Sequence, residues 1–333
     1  MRPSSWPASV PACNRIPRAG GPTVCVGVAI LFPGQGTQST GMGGPWRTAP
    51  EWVLVERAEA ALGEPLAPLL LDAPAEHLAR TREAQLAVFL HSLVAWEAVR
   101  SRFEGEVPVA FAGHSLGQLT ALVASGALSL EDGIRLVARR AAATQASADR
   151  RPGRMAALIG AGLEAAEQAC AGVDEAWVAN DNAPGQIVVG GTPAGVEAAT
   201  GAAKALGVRR VVPLNVGGAF HTPLFADARA ELEPVLAATP FSSPVAPVVS
   251  NVDARPHTDP AGWPTQLGEH LVSPVRWRQS VLTLVSLGAD SFVEVGPGNV
   301  LAGLVRRTAP DVGVRNVASP DDVATVLTPV EVS

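Results

Sequence analysis

Gly113-His114-Ser115-Leu116-Gly117 has the G-x-S-x-G form of a turn that presents a serine hydroxyl for covalent catalysis. Such a turn runs tightly from a strand into a helix, so the flanking positions need residues without a Cβ. The helix N-terminus then brings backbone N–H groups beside the serine, where an oxyanion would develop during acyl transfer. Serine is a weak nucleophile and needs a base, for which histidine is the usual choice near neutral pH. Six histidines are available. His77 and His91 fall in helical patterns and read as surface or packing residues, and His257 lies in a proline-rich loop. His114 adjoins Ser115, so its side chain diverges from the hydroxyl and lines the site. His221 follows the turn Gly217-Gly218-Ala219-Phe220 and opens a helix, where an imidazole can face a cleft. Spacing alone leaves the base undecided.

Two phosphate-binding readings fail. Gly36 and Gly41 have P-loop spacing, but Met42 stands where lysine is required. Gly34 and Gly36 begin a dinucleotide fingerprint whose third glycine position is Ser39. A polar loop after a first strand can instead supply an oxyanion donor.

The elements around these residues suit that chemistry. Val24–Phe32 is an apolar, β-branched run that predicts a buried parallel strand ending at Pro33-Gly34-Gln35-Gly36. Leu86, Phe89, Leu90, Leu93 and Val94 repeat at helical spacing and predict a helix over 81–103, with Thr81 as N-cap. A strand over 107–112 leads into the serine turn, and helical patterns continue to about Ala148. Short strand-like runs at 155–159, 176–179, 186–189 and 209–214, with helical runs after the first and third, follow the order β-α-β-β-α-β of a ferredoxin-like unit. From His221 onward, helices alternate with strands at 245–249 and 291–295.

Composition narrows the function classes. Of 333 residues, 47% are hydrophobic, enough for a large core, and the net charge of −6 lacks the basic excess of a nucleic-acid binder. Cys13, Cys25 and Cys170 form no metal-ligand spacing and read as free thiols in a reducing cytoplasm. No apolar run reaches the roughly 18 residues of a membrane span. The first 23 residues, rich in Pro, Ser, Gly and Arg, read as a disordered leader.

LFPGQGTQ (31–38), AGHSLGQLTALVASGAL (112–128), LVARR (136–140), NAPGQIVVGG (182–191), GGAFHTPLF (217–225), SNVDARP (250–256), LVSPVRW (271–277) and FVEVGPGNVL (292–301) occur in this order. Together they resemble the malonyl-CoA:acyl carrier protein transacylases and the related acyltransferase domains of polyketide synthases. The resemblance implies an α/β-hydrolase-like large subdomain (24–150 and 217–325) with an inserted ferredoxin-like small subdomain (151–216). It also implies malonyl transfer from malonyl-CoA to the phosphopantetheine thiol of an acyl carrier protein, without metal or redox cofactor.

The same resemblance assigns Ser115 as the acylated residue and His221 as its base, oriented by the backbone carbonyl of His270 and not by an acidic side chain. Backbone N–H groups of Gln35 and Leu116 match the oxyanion hole, and Arg140 matches the arginine that grips the malonyl carboxylate. Gln85, His114, Asn180 and Asn182 match positions lining the acyl site. Phe220 resembles the malonyl-type signature. Gln118 departs from the pattern, which usually has Glu there. Two other readings stay open: an acyl-thioester hydrolase on the same dyad, and a transferase for another extender unit.

Overall fold

The computed structural model describes residues 14–16, 24–103 and 107–326. Its strands are β1 (Asn14–Ile16), β2 (Val24–Val26), β3 (Val28–Phe32), β4 (Ala110–Gly113), β5 (Arg154–Ile159), β6 (Ala176–Ala183), β7 (Gln186–Gly191), β8 (Arg210–Pro213), β9 (Val248–Val249), β10 (Pro256–His257), β11 (Ser291–Val295) and β12 (Gly313–Val317). Its α-helices are α1 (Val53–Leu62), α2 (Ala67–Leu71), α3 (Ala75–Leu78), α4 (Thr81–Arg100), α5 (Gly117–Ala124), α6 (Leu130–Arg150), α7 (Leu163–Ala171), α8 (Pro193–Ala205), α9 (Ala226–Ala238), α10 (Trp263–Val272), α11 (Trp277–Ser286) and α12 (Val300–Thr308).

The larger sheet has the order β10-β9-β4-β3-β11-β12. Its pairs are parallel except β9–β10. β3 and β11 are buried at every position, as expected of strands covered by helices on both faces. The smaller sheet, β6-β7-β5-β8, is antiparallel and carries α7 and α8, the arrangement of a ferredoxin-like insert in a larger α/β core.

Several predicted boundaries shift. The apolar run 24–32 is two strands, because β2 pairs antiparallel with β1 while β3 joins the large sheet. Gly27 marks the break between them, where an added Cβ would stand 2.1 Å from the Gly288 oxygen. Of the leader expected over residues 1–23, only Asn14–Ile16 falls among the described residues, and it is this paired strand; the rest lies outside them. The strand before the serine turn begins at Ala110, not Val107, because register with β3 decides where pairing starts. Arg80, not Thr81, takes the extended N-cap conformation of α4 and makes no side-chain cap bond. No helix among the described residues is long and apolar enough to cross a membrane.

Candidate active site

β4 ends at Gly113, and the chain turns through Ser115 into α5. A Cβ on Gly113 would fall 1.9 Å from the Gly117 carbonyl group, and one on Gly117 would fall 2.1 Å from the Phe32 oxygen. Both glycines of the motif are therefore required by backbone-to-backbone approach. Ser115 itself has φ +53°. A non-glycine residue held there is strained by about 1–3 kcal/mol, and such strain concentrates at functional sites.

His221 is brought to Ser115 across 106 residues of sequence. Its backbone is also left-handed, with φ +62°. The Ser115 hydroxyl donates to His221 Nε2 at 2.7 Å, and His221 Nδ1–H donates to the His270 carbonyl at 2.8 Å. A carbonyl can only accept, so Nδ1 carries the proton and Nε2 is left as the acceptor a base requires. The His270 ring stacks on the His221 ring with centroids 4.9 Å apart. Burial, then the charge of Arg140, pushes the His221 imidazole down to about 3, against the opposing bond to His270. The base is thus neutral across the physiological range.

Arg140 lies on α6, whose first turn is capped by the Ser129 hydroxyl accepting from the Asp132 N–H. Consecutive helical residues point about 100° apart. Arg140 accordingly sits on the buried face at 5% exposure while Arg139 is exposed. Arg140 Nη1 donates to Gln85 Oε1 at 2.6 Å, and Nη2 lies 3.4 Å from the Ser115 hydroxyl. Among the described residues no carboxylate pairs with Arg140, and burial lowers its pKa to about 10. A buried cation held by one neutral amide is arranged for an anion that arrives with substrate.

The loop after β3 approaches the serine turn closely: a Cβ on Gly34 would meet the His114 oxygen at 2.6 Å. The Thr37 hydroxyl donates to the Gly34 carbonyl at 3.0 Å, and Gln38 Nε2 donates to the Leu78 carbonyl at 3.0 Å, which ties this loop down. Gln35 and Leu116 both line the cavity over Ser115. The Ser115 N–H is not available there, because it donates to Asn251 Oδ1 at 2.8 Å.

The cavity holds about 140 Å³. Besides the dyad it is lined by Arg140, His114, Asn180, Asn182 and Phe220, all expected from sequence, and by Met155, Val188, Leu214 and Val216, which were not. Met155 and Val188 come from β5 and β7, and Leu214 and Val216 from the segment after β8; apolar residues in such short stretches carry no mark of the pocket they will face. His114 Nε2–H donates to Asn182 Oδ1 at 2.8 Å, and Phe220 stacks on Phe225 at 4.9 Å. Gln85 differs from expectation. It is buried behind Arg140 and holds the guanidinium without lining the cavity. A larger cavity of about 650 Å³ opens beside Val107 and Pro108, before the start of β4, among Trp96, Phe103 and Phe111. It contains neither dyad residue, and ligands of open α/β sheets bind at the carboxyl ends of strands, where Ser115 sits.

The acyl transferase domain profile matches residues 30–328. The chain is 38% identical over 302 residues to the malonyl CoA-acyl carrier protein transacylase of Bacillus subtilis, covering 89% of this chain and 95% of that protein. It is 37% identical over 307 residues to the protein of the same name from Salmonella typhimurium, covering 90% and 98%. The crystal structure of malonyl-CoA:acyl carrier protein transacylase from Xanthomonas oryzae pv. oryzae superposes with a TM-score of 0.86 at 39% identity, covering 90% of this chain and 97% of that one.

Proposed function

The chain belongs to the malonyl-CoA:acyl carrier protein transacylase family, closely related to polyketide synthase acyltransferase domains, and on that premise we propose how its residues share the chemistry. The enzyme transfers malonyl from malonyl-CoA to an acyl carrier protein. The observation that carries the assignment of roles is the Ser115 hydroxyl, which lies 2.7 Å from a neutral, correctly tautomeric His221 and 3.4 Å from a buried Arg140 that has no carboxylate partner among the described residues.

In the first half-reaction His221 Nε2 takes the hydroxyl proton as Ser115 Oγ attacks the thioester carbonyl carbon. The N–H groups of Gln35 and Leu116 stabilise the oxyanion. Collapse breaks the C–S bond, and the imidazolium returns its proton to the departing CoA sulfur, leaving malonyl-Ser115. In the second half-reaction the phosphopantetheine thiol gives its proton to His221 and attacks the ester. Collapse then restores the proton to Ser115 Oγ. Arg140 grips the free carboxylate through two parallel hydrogen bonds, a geometry lysine cannot copy. Neutralising Arg140 in this way removes a charge that depresses the His221 pKa, so substrate itself makes the base stronger. Phe220, held by its stack on Phe225, limits room for a branched acyl group, a discrimination of about 1–3 kcal/mol. We place the reaction in the cytoplasm, in keeping with the few, scattered cysteines.

Mixing the protein with malonyl-CoA, without carrier, should add one malonyl mass on the peptide containing Ser115. Acetyl-CoA should label poorly. Adduct on any other peptide removes Ser115 from the reaction, and rapid release of free malonate favours a hydrolase instead.

The second substrate is a protein, and its docking should depend on local positive charge despite the net charge of −6. Arg210 opens β8 opposite Ile159, and the next residue, Gly160, donates its N–H to the Gly185 carbonyl. Arg307 donates to the neighbouring Pro184 carbonyl and Gln186 side chain. Exposed Arg209–Arg210 and Arg306–Arg307 thus border one surface turn. Charge reversal at both pairs should raise the apparent KM for an acidic carrier protein and leave self-malonylation intact. An unchanged KM takes these residues off the docking surface.

A further inference from the structure

Asn251 belongs to a loop 136 residues from the serine, yet it touches the serine turn from both sides. Its Oδ1 accepts the Ser115 N–H at 2.8 Å, and its Nδ2 donates to the Gly113 carbonyl at 2.8 Å. The residue is completely buried. Its own backbone is pinned as well. The Asn251 N–H donates to Gln118 Oε1 at 2.6 Å, and the Asn251 carbonyl accepts from the Arg276 N–H at 2.9 Å. Gln118 is likewise completely buried and does not line the substrate cavity. Gln118 is therefore a brace for Asn251.

We propose that Asn251 is a positioning residue that holds Ser115 in its left-handed conformation and, through Arg276, ties the serine turn to the segment that orients His221. A carboxamide suits the task because it offers one acceptor and one donor at the needed spacing. It occupies the Ser115 N–H, which leaves oxyanion binding to Gln35 and Leu116. It also spans the residue whose backbone is strained, where the surroundings must over-determine the conformation for it to persist. The segment beyond Arg276 leads back to His270, whose carbonyl fixes the His221 tautomer. Both halves of the dyad are thus referred to one buried residue, the serine turn through its carboxamide and the His270 segment through its backbone carbonyl. Asn251 does not line the cavity over Ser115, so its loss should degrade alignment of the attacking oxygen without weakening malonyl-CoA binding.

This inference rests on Ser115 being the nucleophile, which labelling of the wild-type protein tests separately. The deciding measurement is the single-turnover rate of malonyl-Ser115 formation, normalised to the number of serines that can be labelled, together with KM for malonyl-CoA. Asn251→Ala should slow that per-site rate roughly 10–100-fold, the scale expected when reacting atoms are misplaced by a fraction of an ångström to 1 Å. KM should stay nearly constant. Asn251→Asp should be as slow as Asn251→Ala at neutral pH, since a carboxylate accepts from Ser115 but cannot donate to Gly113. Gln118→Leu removes only the brace and should cost about 2–10-fold. It also serves as the deciding variant if Asn251→Ala does not fold. A merely structural role would lower the melting temperature and the labelled fraction while leaving the per-site rate intact. Per-site rates within twofold of wild type in the folded variants, with label still on Ser115, would overturn the proposal. Absence of label on Ser115 in the wild type would overturn the nucleophile assignment instead.

Discussion

Ser115→Ala should abolish malonyl labelling, and His221→Ala should slow it roughly 10²–10⁴-fold, the range that a positioned general base contributes. The two effects differ in kind. Without the hydroxyl there is no ester to form, whereas without the imidazole the hydroxyl still meets the oxyanion donors and the bound thioester, and keeps its weak intrinsic nucleophilicity. His270→Ala is the informative companion. The 2.8 Å bond from His221 Nδ1 ends on a backbone carbonyl, which the substitution retains. What it removes is a ring stacked on the base, so the variant should be much milder than His221→Ala. Equal losses in the two histidine variants would mean that the His270 side chain, and not its carbonyl, orients the base. The pH profile gives a second check. The neutral imidazole is the active form, and burial with the Arg140 charge holds its pKa near 3. The kcat/KM of the free enzyme should therefore pass through pH 6.5, the ordinary histidine value, without an acid limb. A limb centred there would contradict the depressed pKa.

Arg140→Ala should lower malonyl transfer by roughly 30-fold to several thousand-fold. Truncating one partner of a desolvated charge pair costs about 2–5 kcal/mol, at about 1.4 kcal/mol per factor of ten. Acetyl transfer should fall little, and loss of an uncompensated buried cation can raise it. Arg140→Lys should also be poor, because a point charge cannot donate through the planar fork and cannot hold Gln85 and the substrate in the same geometry. Arg139→Ala, on the exposed side of α6, is the control and should be nearly neutral. The measurement is the ratio of malonyl to acetyl kcat/KM for each variant. Equal losses for both substrates in Arg140→Ala would make the arginine a scaffold for Gln85 and remove carboxylate recognition from its role. Removing the Arg140 charge should also raise the His221 pKa, since that charge is second only to burial in depressing it. An acid limb that appears in Arg140→Ala and is absent from the wild type would tie the two residues together.

The elements that sequence determined are those whose cause is local. The serine turn was legible because the need for Gly113 arises within five residues, from the Gly117 backbone, although the need for Gly117 comes from the remote Phe32 carbonyl. The ferredoxin-like order of the small sheet was legible because strand and helix periods differ within short windows. Strand ends were less so. β4 starts three residues later than its apolar run, since its partners set the register. The malonyl chemistry was legible only through the resemblance of many ordered segments. Residue types alone left six histidines and, within LVARR, two adjacent arginines to choose between.

Tertiary structure made those choices. His221 is the base because one loop crosses 106 residues of chain to put its Nε2 2.7 Å from the hydroxyl, and because a distant carbonyl dictates which nitrogen carries the proton. Gln85 holds Arg140 from another helix without entering the pocket, a relation set by how α4 packs on α6. Asn251 carried no local signal, because an asparagine in a loop is ordinary until its two amide atoms are seen to meet a carbonyl and an N–H on either side of a strained serine. Sequence specifies which groups can react, through sterics and periodicity that act over a few residues. Distances, tautomers and buried charge depend on contacts between remote segments, which exist only once the chain has folded.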